Sequence, residues 1–268
     1  MNEQTILVTG ATDGLGKGVV IDLAKKGATL LLHGRDPKRI SATIDAIHAV
    51  APKGVVRSYT ADLASLAAVR ELAADVLANE ERLDVLVNNA GIGTTVPGGA
   101  ERQESKDGLE LRFAVNYLSH YVLTNALLPL LERSKPARIV NVSSAGQQPI
   151  DFDDAQITKG YSGGRAYCQS KLAQITWTMH EAPVLAKRGI TITALHPATF
   201  MATKIVPSPI AGIEEGVAAT VRLAIDPKLE GVTGKYFDGA REMKPNLQAL
   251  DETAQQKLIS LSEKLAAY

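Results

Sequence analysis

The sequence has little of what secreted or membrane-spanning proteins need. It contains one cysteine in 268 residues, Cys168, so no disulfide can form within the chain and a reducing compartment is indicated. It has no apolar run of the roughly 18 residues that a bilayer span requires. Its N-terminus lacks the basic and apolar regions of a signal peptide. We therefore expect a cytoplasmic protein without a membrane span.

Positive and negative charges are balanced. Lysine and arginine together number 29, as do aspartate and glutamate, so the formal net charge is zero. Without a basic block, binding to nucleic acid is not expected. The five histidines show no ligand-like clustering with cysteine or aspartate. No metal site is predicted.

Short apolar runs alternate with helical patterns from one end of the chain to the other. The pattern predicts strands at 5–9, 28–33, 55–60, 83–88, 138–142, 190–195 and 235–237. Among the helices between them, a long helical stretch is predicted at about 106–131. This alternation predicts an α/β fold, a Rossmann-type doubly wound parallel sheet with helices on both faces, in a single domain over residues 1–268.

In such sheets, ligands bind beyond the carboxyl ends of the strands. Five residues with polar or conformationally special character lie one or two positions after predicted strands: Gly10, Asp62, Asn89, Ser144 and Pro197. They are scattered along the chain, but the fold would bring them to one edge of the sheet. The sequence therefore predicts a ligand site at that edge.

A glycine-rich turn connects the first predicted strand to the first helix. Glycines at such a turn let the backbone approach a pyrophosphate, whose charge then faces the helix N-terminus. The turn predicts cofactor contacts from Gly10, Thr12, Asp13, Gly14, Leu15 and Gly16. A P-loop is rejected, because five residues instead of four separate Gly10 from Gly16, and Gly18 replaces the magnesium-binding serine or threonine.

The second strand ends in His33-Gly34-Arg35-Asp36. A dinucleotide site places an acid here for the ribose 2′-hydroxyl, or a cation for a 2′-phosphate. Gly34 and Arg35 favour the phosphate and hence NADP. Two alternatives stay open: Arg35 as the solvated partner of Asp36, and Asp36 as the ribose acid, which would suit NAD.

Tyr167 and Lys171 stand four residues apart at the head of a predicted helix that runs to about residue 188. Such a pair shares one helix face. A cation about 4 Å from a phenol, at an effective dielectric of ~20, lowers its pKa of ~10 by about three units. The phenol could then exchange protons with a substrate. Alone, this spacing is more often a core tyrosine and a solvated lysine, and Cys168 between them is predicted to be a core residue.

Taken together, the motifs resemble the classical short-chain dehydrogenase/reductase family over nearly the whole chain. The matching features are the glycine pattern at 9–16, Asp62, Asn88-Asn89-Ala90-Gly91, Asn116, Val142-Ser143-Ser144, Tyr167 with Lys171, and His196-Pro197 followed by Thr203. Each motif is common singly. Their joint order and spacing make the resemblance specific.

The resemblance implies hydride transfer between a carbonyl compound and an alcohol, with NAD(P) as cofactor. Tyr167 would be the general acid in reduction and the base in oxidation. Ser144 would hydrogen-bond the reacting oxygen, and Lys171 would hold the nicotinamide ribose and lower the pKa of the tyrosine. Asn116 would anchor a water that relays protons to Lys171. These four residues are the expected catalytic set.

The resemblance also implies the remaining cofactor contacts. Asp62 would meet the adenine, and Thr199 or Thr203 would bind the nicotinamide amide or the phosphates. Beyond the glycine turn, the expected cofactor residues are Arg35, Asp62, Leu63, Asn89, Ala90, Gly91, Tyr167, Lys171, Pro197 and Thr199. Residues 1–142 would form mainly the dinucleotide-binding half. Residues 143–268 would form the catalytic and substrate-binding half, with a lid near 197–212.

Two departures from the family pattern bear on the substrate. Pro197-Ala198 replaces the frequent Pro-Gly, and the 23-residue step from Ser144 to Tyr167 is longer than usual, with an insert at about 147–164. The long loop resembles the retinol-dehydrogenase-like branch, which generally uses NADP. This resemblance does not establish retinol as the substrate.

We therefore expect an NADP-preferring oxidoreductase acting on a hydrophobic ketone or aldehyde, with NAD as the alternative cofactor. The apolar residues near the expected substrate site are Val96, Pro97, Phe152, Phe200, Met201, Ile205, Val206 and Ile210. Alternatives from other classes are a non-catalytic NADP-binding regulator or scaffold, and an epimerase or dehydratase relative that keeps its cofactor bound. A homodimer or homotetramer would suit the helices at 106–131 and 165–188, although the closer branch includes apparent monomers.

Overall fold

The computed structural model describes residues 4–94, 101–199, 201 and 212–267. The strands are β1 (Thr5–Val8), β2 (Thr29–Gly34), β3 (Val56–Thr60), β4 (Val85–Asn88), β5 (Ala137–Val142), β6 (Ile190–His196), β7 (Lys235–Asp238) and β8 (Arg241–Met243). The helices are α1 (Gly14–Lys25), α2 (Pro37–Val50), α3 (Leu66–Asn79), α4 (Leu111–Phe113), α5 (Ser119–Arg133), α6 (Gly163–Lys187), α7 (Glu214–Ile225) and α8 (Glu252–Ala266).

The eight strands form one sheet in the order β3-β2-β1-β4-β5-β6-β7-β8. All neighbours are parallel except β7 and β8, which pair antiparallel. The order reverses between β1 and β4, as in a doubly wound sheet, so the predicted fold is confirmed. The sequence missed β8, because its Arg-Glu-Met is exposed throughout and carries no alternation of apolar and polar residues.

The sheet is covered on both faces, which is why its strands are apolar along their whole length. Successive residues of β1 point to opposite faces: Leu7 packs into the layer that contains α3, α5 and α6, whereas Ile6 and Val8 pack against α1 and α7. All three side chains are fully buried. The helices thereby hold the carboxyl ends of the strands in fixed positions.

The helical stretch predicted from residue 106 is wrong in its first part. A turn precedes the helix: Gly108 has a φ of +73°, and Ser105 Oγ accepts hydrogen bonds from the amides of Asp107 and Leu109. The helix begins at Leu111, passes through a π-helical turn at Ala114–Leu118 and continues as α5. The available signals were Gly108, a common turn residue, and the alternation of Leu109, Leu111 and Phe113, which is not a helical spacing.

The C-terminal helix α8 packs against α6 and against the π-helical turn. The hydroxyl groups of Tyr117 and Ser262 lie 2.7 Å apart, and Leu258 is fully buried. Part of the predicted dimer face is therefore covered by the chain itself. Among the helices of the described residues, none combines the length and the apolar character that crossing a bilayer requires.

Candidate active site

The loops that follow β1 and β4 are fastened together at the carboxyl edge of the sheet. Thr9 Oγ1 accepts hydrogen bonds from the amides of Asn89 (2.9 Å) and Ala90 (3.0 Å). The Asn89 side chain donates in return to the Thr9 carbonyl at 2.8 Å. Because β1 and β4 are neighbours, the glycine turn and the Asn89-Ala90-Gly91 loop form one continuous surface at the predicted place.

The glycine turn has the shape that a dinucleotide pyrophosphate requires. Gly10 adopts a φ of +65°, and a Cβ atom on it would lie 2.9 Å from Ala90 Cα. A Cβ atom on Gly16 would overlap the Gly10 carbonyl oxygen. Helix α1 begins at Gly14, with Asp13 as its N-cap. The bare backbone and the helix N-terminus fit an anionic cofactor group.

Thr12 and Leu15 of the same turn have different surroundings. Leu15 is buried and packs in the core with α1, so its side chain faces away from the turn surface. Thr12 is half-buried, and its methyl group lies 2.6 Å from the place where a Cβ atom of Gly34 would stand. Glycine at the end of β2 is therefore what lets the turn sit against that strand.

His33 connects β2 to the glycine turn and to the end of β3. Its Nδ1 accepts the Gly10 amide hydrogen at 3.2 Å, and its Nε2 lies 3.1 Å from the Ala61 carbonyl oxygen. Burial lowers the pKa of His33 to about 4. The ring is therefore neutral, with its proton on Nε2.

Arg35 is exposed beyond the end of β2, whereas the neighbouring acid is already engaged. Asp36 is the N-cap of α2, and its Oδ1 accepts from the amides of Lys38 (2.9 Å) and Arg39 (3.4 Å). Arg39 also lies 3.4 Å from Asp13 Oδ2, which the sequence analysis missed. The signal for it was the Asp-Pro start of α2, which places Arg39 on the first turn and beside the glycine turn.

Asp62 and Leu63 lie at the end of β3. Asp62 is half-buried, and its Oδ1 accepts the Ala64 amide hydrogen at 3.1 Å. Leu63 is 3% exposed and packs in the core. Only the backbone of Leu63 can therefore face a cofactor, whereas the Asp62 carboxylate lies at the edge, with its Oδ2 3.9 Å from Lys106 Nζ.

Ser144 faces Tyr167 and Ser143 does not. The Ser143 hydroxyl donates to the Lys171 carbonyl oxygen at 2.7 Å, inside the protein. Ser144 Oγ accepts the Gly146 amide hydrogen at 3.0 Å and hydrogen-bonds Tyr167. Burial raises the pKa of Tyr167, and the hydrogen bond from Ser144 acts in the opposite direction.

Lys171 is buried one helical turn after Tyr167. Its Nζ donates to the carbonyl oxygen of Val142 (2.7 Å) and to Gln174 Oε1 (3.1 Å). Burial lowers the pKa of Lys171 to about 7. In this structure, burial raises the pKa of the Tyr167 phenol, where the sequence predicted a pKa lowered by the lysine.

Asn116 lies in the π-helical turn, directly opposite this lysine. Its Oδ1 accepts the Ile92 amide hydrogen at 2.8 Å, and its Nδ2 donates to the Ile92 carbonyl and to Ser170 Oγ. A Cβ atom on Gly91 would lie 3.3 Å from Asn116 Oδ1 and 3.5 Å from Lys171 Nζ. Glycine at 91 therefore lets the loop after β4 lie close to both side chains.

The structure places the residues after β6 in different environments. Pro197 is buried, whereas Thr199 is exposed, with its hydroxyl 3.1 Å from His196 Nε2. Burial lowers the pKa of His196. Met201 is buried against Gly216. Several predicted substrate and lid residues lie outside the described residues: Val96, Pro97, Phe200, Thr203, Ile205, Val206 and Ile210.

The prediction that Cys168 is a core residue is wrong. The thiol is half-buried, and a Cβ atom on Gly146 would lie 3.2 Å from its sulfur, 3.5 Å from Ser144 Oγ and 3.8 Å from the Tyr167 ring. The sulfur therefore lies beside the expected catalytic pair. The apolar spacing along α6 predicted burial of Cys168. The first turn of α6 lies at the sheet edge, however, where Gly146 has no side chain to cover the thiol.

A buried arginine, missed by the sequence analysis, joins the insert to the loop after β4. Arg112 is fully buried and donates to the carbonyl oxygens of Gly93 (2.8 Å) and Thr94 (2.9 Å). It also donates to the Tyr161 hydroxyl at 2.6 Å, which in turn donates to Glu110 Oε1 at 2.8 Å. Opposite charges two residues apart in an apolar stretch were the available signal.

The other end of the insert is held by the C-terminal part of the chain. The Gln248 side chain bonds both the amide (2.6 Å) and the carbonyl (3.0 Å) of Ile150. Gln147 Oε1 accepts the Asn246 amide hydrogen at 2.8 Å.

Within residues 4–94, 101–199, 201 and 212–267, no group of histidine, cysteine or acidic side chains is arranged to hold a metal ion.

Comparisons with known proteins agree with this geometry. Residues 4–209 match the family described as short chain dehydrogenase. The chain is 36% identical to human retinol dehydrogenase 13 over 283 residues, which cover 98% of this chain and 84% of that protein. A crystal structure of an uncharacterized protein from Mycobacterium Paratuberculosis is similar, with a TM-score of 0.80, 28% identity and coverage of 99% and 94% of the two chains. The active-site complex of Pseudomonas aeruginosa RhlG with NADP is also similar, with a TM-score of 0.70, 26% identity and coverage of 88% and 94%.

Proposed function

Because the chain belongs to the short chain dehydrogenase family, we propose that it is an NADP-preferring oxidoreductase that interconverts a hydrophobic ketone or aldehyde and the corresponding alcohol. The observation that carries the proposal is the placement of Ser144 against Tyr167, with Lys171 one helical turn away and Asn116 across the gap at Gly91. The name of the relative retinol dehydrogenase 13 supports an apolar alcohol or carbonyl compound as the substrate.

The residues at the carboxyl edge of the sheet would hold the cofactor. The amides of the turn from Gly10 to Gly16 would bind the pyrophosphate at the N-terminus of α1. Arg35 would meet the 2′-phosphate, since Asp36 is engaged as an N-cap and is less free to accept a ribose hydroxyl. The complex of RhlG with NADP, a similar structure, supports this choice. When bound, the cofactor supplies or accepts a hydride at the substrate carbon.

The chain's own residues would move the proton. In reduction, the Tyr167 hydroxyl donates its proton to the substrate oxygen, and in oxidation the phenolate accepts it. Ser144 donates a hydrogen bond to the same oxygen and stabilises the charge that develops there. A charged Lys171 lowers the free energy of the phenolate, because an opposite charge favours the ionised form.

The substrate side of this pair supports a compound of apolar character. The Cys168 thiol and the bare Gly146 lie next to Ser144 and Tyr167, and neither carries a charge that would bind a polar group. Phe152 of the insert packs partly against the core. A site of this kind favours hydrophobic carbonyl compounds over sugars or acids.

Replacing the proposed acid tests the function. Tyr167→Phe should lower kcat for a panel of hydrophobic ketones and aldehydes by about 10²- to 10⁴-fold, while the Kd for NADPH, measured by fluorescence, changes by less than about threefold. Tyr59→Phe is the matched control, because Tyr59 is another buried tyrosine, bonded to Glu80 at 2.5 Å in β3.

Retention of most of the activity in Tyr167→Phe would contradict the proton-transfer role. Absence of NADPH oxidation by the wild-type protein on the whole panel would favour the regulator or scaffold. NADP that stays bound through purification, with no net redox change, would favour the epimerase or dehydratase.

A further inference from the structure

A chain of buried hydrogen bonds runs from Lys171 to the glycine turn. Lys171 Nζ donates to Gln174 Oε1 at 3.1 Å, and Gln174 Nε2 lies 3.1 Å from His120 Nδ1. The other ring nitrogen, Nε2, lies 3.2 Å from Thr9 Oγ1. Lys171 is 4% exposed and the other three side chains are fully buried. Two helices and the end of β1 are thereby linked without solvent.

The chemistry of the first contact sets the direction of the whole chain. A lysine ammonium can only donate, so the Gln174 oxygen faces Lys171 and its amide NH₂ faces His120. Nδ1 of His120 also lies 3.2 Å from the Asn116 carbonyl oxygen, but the Gln174 NH₂ group that faces it can only donate. Nδ1 therefore accepts from Gln174, and Nε2 carries the ring proton and donates it to Thr9. In each of these hydrogen bonds the acceptor faces the side on which the ammonium lies. Aligned hydrogen bonds polarise one another, which stabilises the positive charge of Lys171.

The histidine must stay neutral for the chain to form. Burial lowers the pKa of His120 to about 3, so at neutral pH its ring keeps one proton. The other titratable groups around the chain are His33, whose pKa burial lowers to about 4, and Tyr167, whose pKa burial raises. Lys171, with a pKa of about 7, is therefore the member of this group whose charge changes near neutrality.

The last member of this row of hydrogen bonds, Thr9, lies at the surface expected to bind the cofactor. Thr9 Oγ1 also accepts hydrogen bonds from the Asn89 and Ala90 amides. Its own hydroxyl proton is donated to the Val87 carbonyl oxygen at 3.4 Å. Three N–H groups thus share the two lone pairs of one hydroxyl. A shift of the loop after β4 would change the strength of the bond from His120, and through it the contact with Lys171.

We propose that Gln174 and His120 are positioning residues, which favour the charged form of Lys171 over the neutral form and couple it to the glycine turn through Thr9. The inference rests on the proposed function, since it concerns the lysine that would act on Tyr167. Neither residue touches the reacting atoms. Gln174 gives the buried ammonium an acceptor in addition to the Val142 carbonyl oxygen, and His120 orients the Gln174 side chain.

Gln174→Met tests the role of these hydrogen bonds, because methionine has nearly the same length as glutamine and cannot hydrogen-bond the lysine. The pKa of Lys171, followed by NMR of lysine labelled at Cε and assigned with Lys171→Arg, should fall by at least about 0.5 units. The acid limb of kcat for alcohol oxidation should move to higher pH, since an uncharged lysine no longer favours the phenolate. The Kd for NADPH should rise several-fold.

Thr176→Val is the matched control. Thr176 is fully buried on the same helix, and its hydroxyl donates to the Leu172 carbonyl at 2.9 Å, outside the chain. It should leave the Lys171 pKa and the pH profile unchanged. His120→Phe should reproduce the effect of Gln174→Met, and the double variant should add little to either single one.

A measurement on the unaltered protein decides the case if the variants do not fold. ¹⁵N NMR of histidine should show His120 neutral at pH 6 to 8, with its proton on Nε2. A proton on Nδ1, or equal shifts of the Lys171 pKa in Gln174→Met and Thr176→Val, would overturn the proposal. These NMR readouts do not depend on turnover, so they remain decisive even if Tyr167→Phe disproves the proposed function.

Discussion

The ammonium nitrogen of Lys171 donates a 2.7 Å hydrogen bond to the carbonyl oxygen of Val142, the last residue of β5. The next residue, Ser143, donates through its hydroxyl to the Lys171 carbonyl at the same distance. Strand β5 and helix α6 therefore hold each other at two points directly before Ser144. The position of Ser144 relative to Tyr167 is set by these contacts, and the long insert between the two residues does not have to set it.

The two adjacent serines should respond differently to replacement. Ser144→Ala should lower kcat by about 10²- to 10³-fold with little change in stability, because it removes a donor to the reacting oxygen. Ser143→Ala should lower the free energy of unfolding by about 1 kcal/mol and leave kcat within a fewfold, because its hydroxyl bonds only the α6 backbone. Steady-state kinetics and urea unfolding of both variants check this. Equal losses of kcat would show that Ser143 also reaches the substrate.

The fold, and the shared edge at which Asn89, Ser144 and the glycine turn lie, followed from the alternation of strands and helices. Asn116, Tyr167 and Lys171 lie on helices, and their roles came from the family resemblance. In a parallel sheet, residues that end different strands must meet at one edge, whatever their separation in the chain. Asn89 and Ser144 could therefore be brought together before any side-chain contact was known. The same rule placed the glycine turn beside Asn89, where the structure has it.

The side-chain network behind this edge could not be predicted. His120 and Gln174 lie on different helices, 54 positions apart in the chain, and only the packing of α5 on the sheet brings their nitrogens to 3.1 Å. Periodicity marks both positions as buried but gives no sign of a polar partner. The prediction for Cys168 was wrong for the opposite reason. Its place on an apolar stripe indicated a core residue, and the sequence did not show that Gly146 leaves the thiol partly exposed.

Removal of the Arg35 guanidinium should reduce the preference for NADPH. Arg35→Ala should raise the Kd for NADPH about tenfold, or ~1.4 kcal/mol, and leave that for NADH within about twofold, because only NADPH carries the 2′-phosphate. Lys38→Ala is the control, since Lys38 is exposed on the same turn. Fluorescence titration with both cofactors measures the ratio. If the ratio is unchanged in Arg35→Ala but falls in Arg39→Ala, Arg39 is the phosphate ligand.

The buried Lys171 should make stability depend on pH. Burial lowers its pKa from 10.5 to about 7. Between these values the unfolded chain binds a proton that the folded chain does not, so the stability of the wild-type protein rises with pH. Lys171→Met removes this dependence. Its free energy of unfolding relative to wild type should therefore fall by about 2 kcal/mol from pH 7 to pH 9, measured by urea unfolding. A difference that stays constant over this range would show that Lys171 keeps its proton when folded.

The insert before Tyr167 should influence the substrate through Tyr161. Tyr161→Phe removes the hydroxyl that joins Arg112 to Glu110, a buried pair whose nearest charged atoms are 3.7 Å apart. We expect a loss of about 1 to 3 kcal/mol in stability, because both charged groups lose a buried partner.

KM for the carbonyl substrate should also rise in Tyr161→Phe, with kcat changing less, since Arg112 holds the loop after β4 through the Gly93 carbonyl. Tyr59→Phe controls for stability, because it too removes a hydroxyl bonded to a buried carboxylate, that of Glu80, but on the outer strand β3. Urea unfolding should show comparable losses for both variants, whereas steady-state kinetics should show the rise of KM only in Tyr161→Phe. An equal rise in both would mean that KM follows general loosening of the fold, and the insert would then have no specific part in holding the substrate.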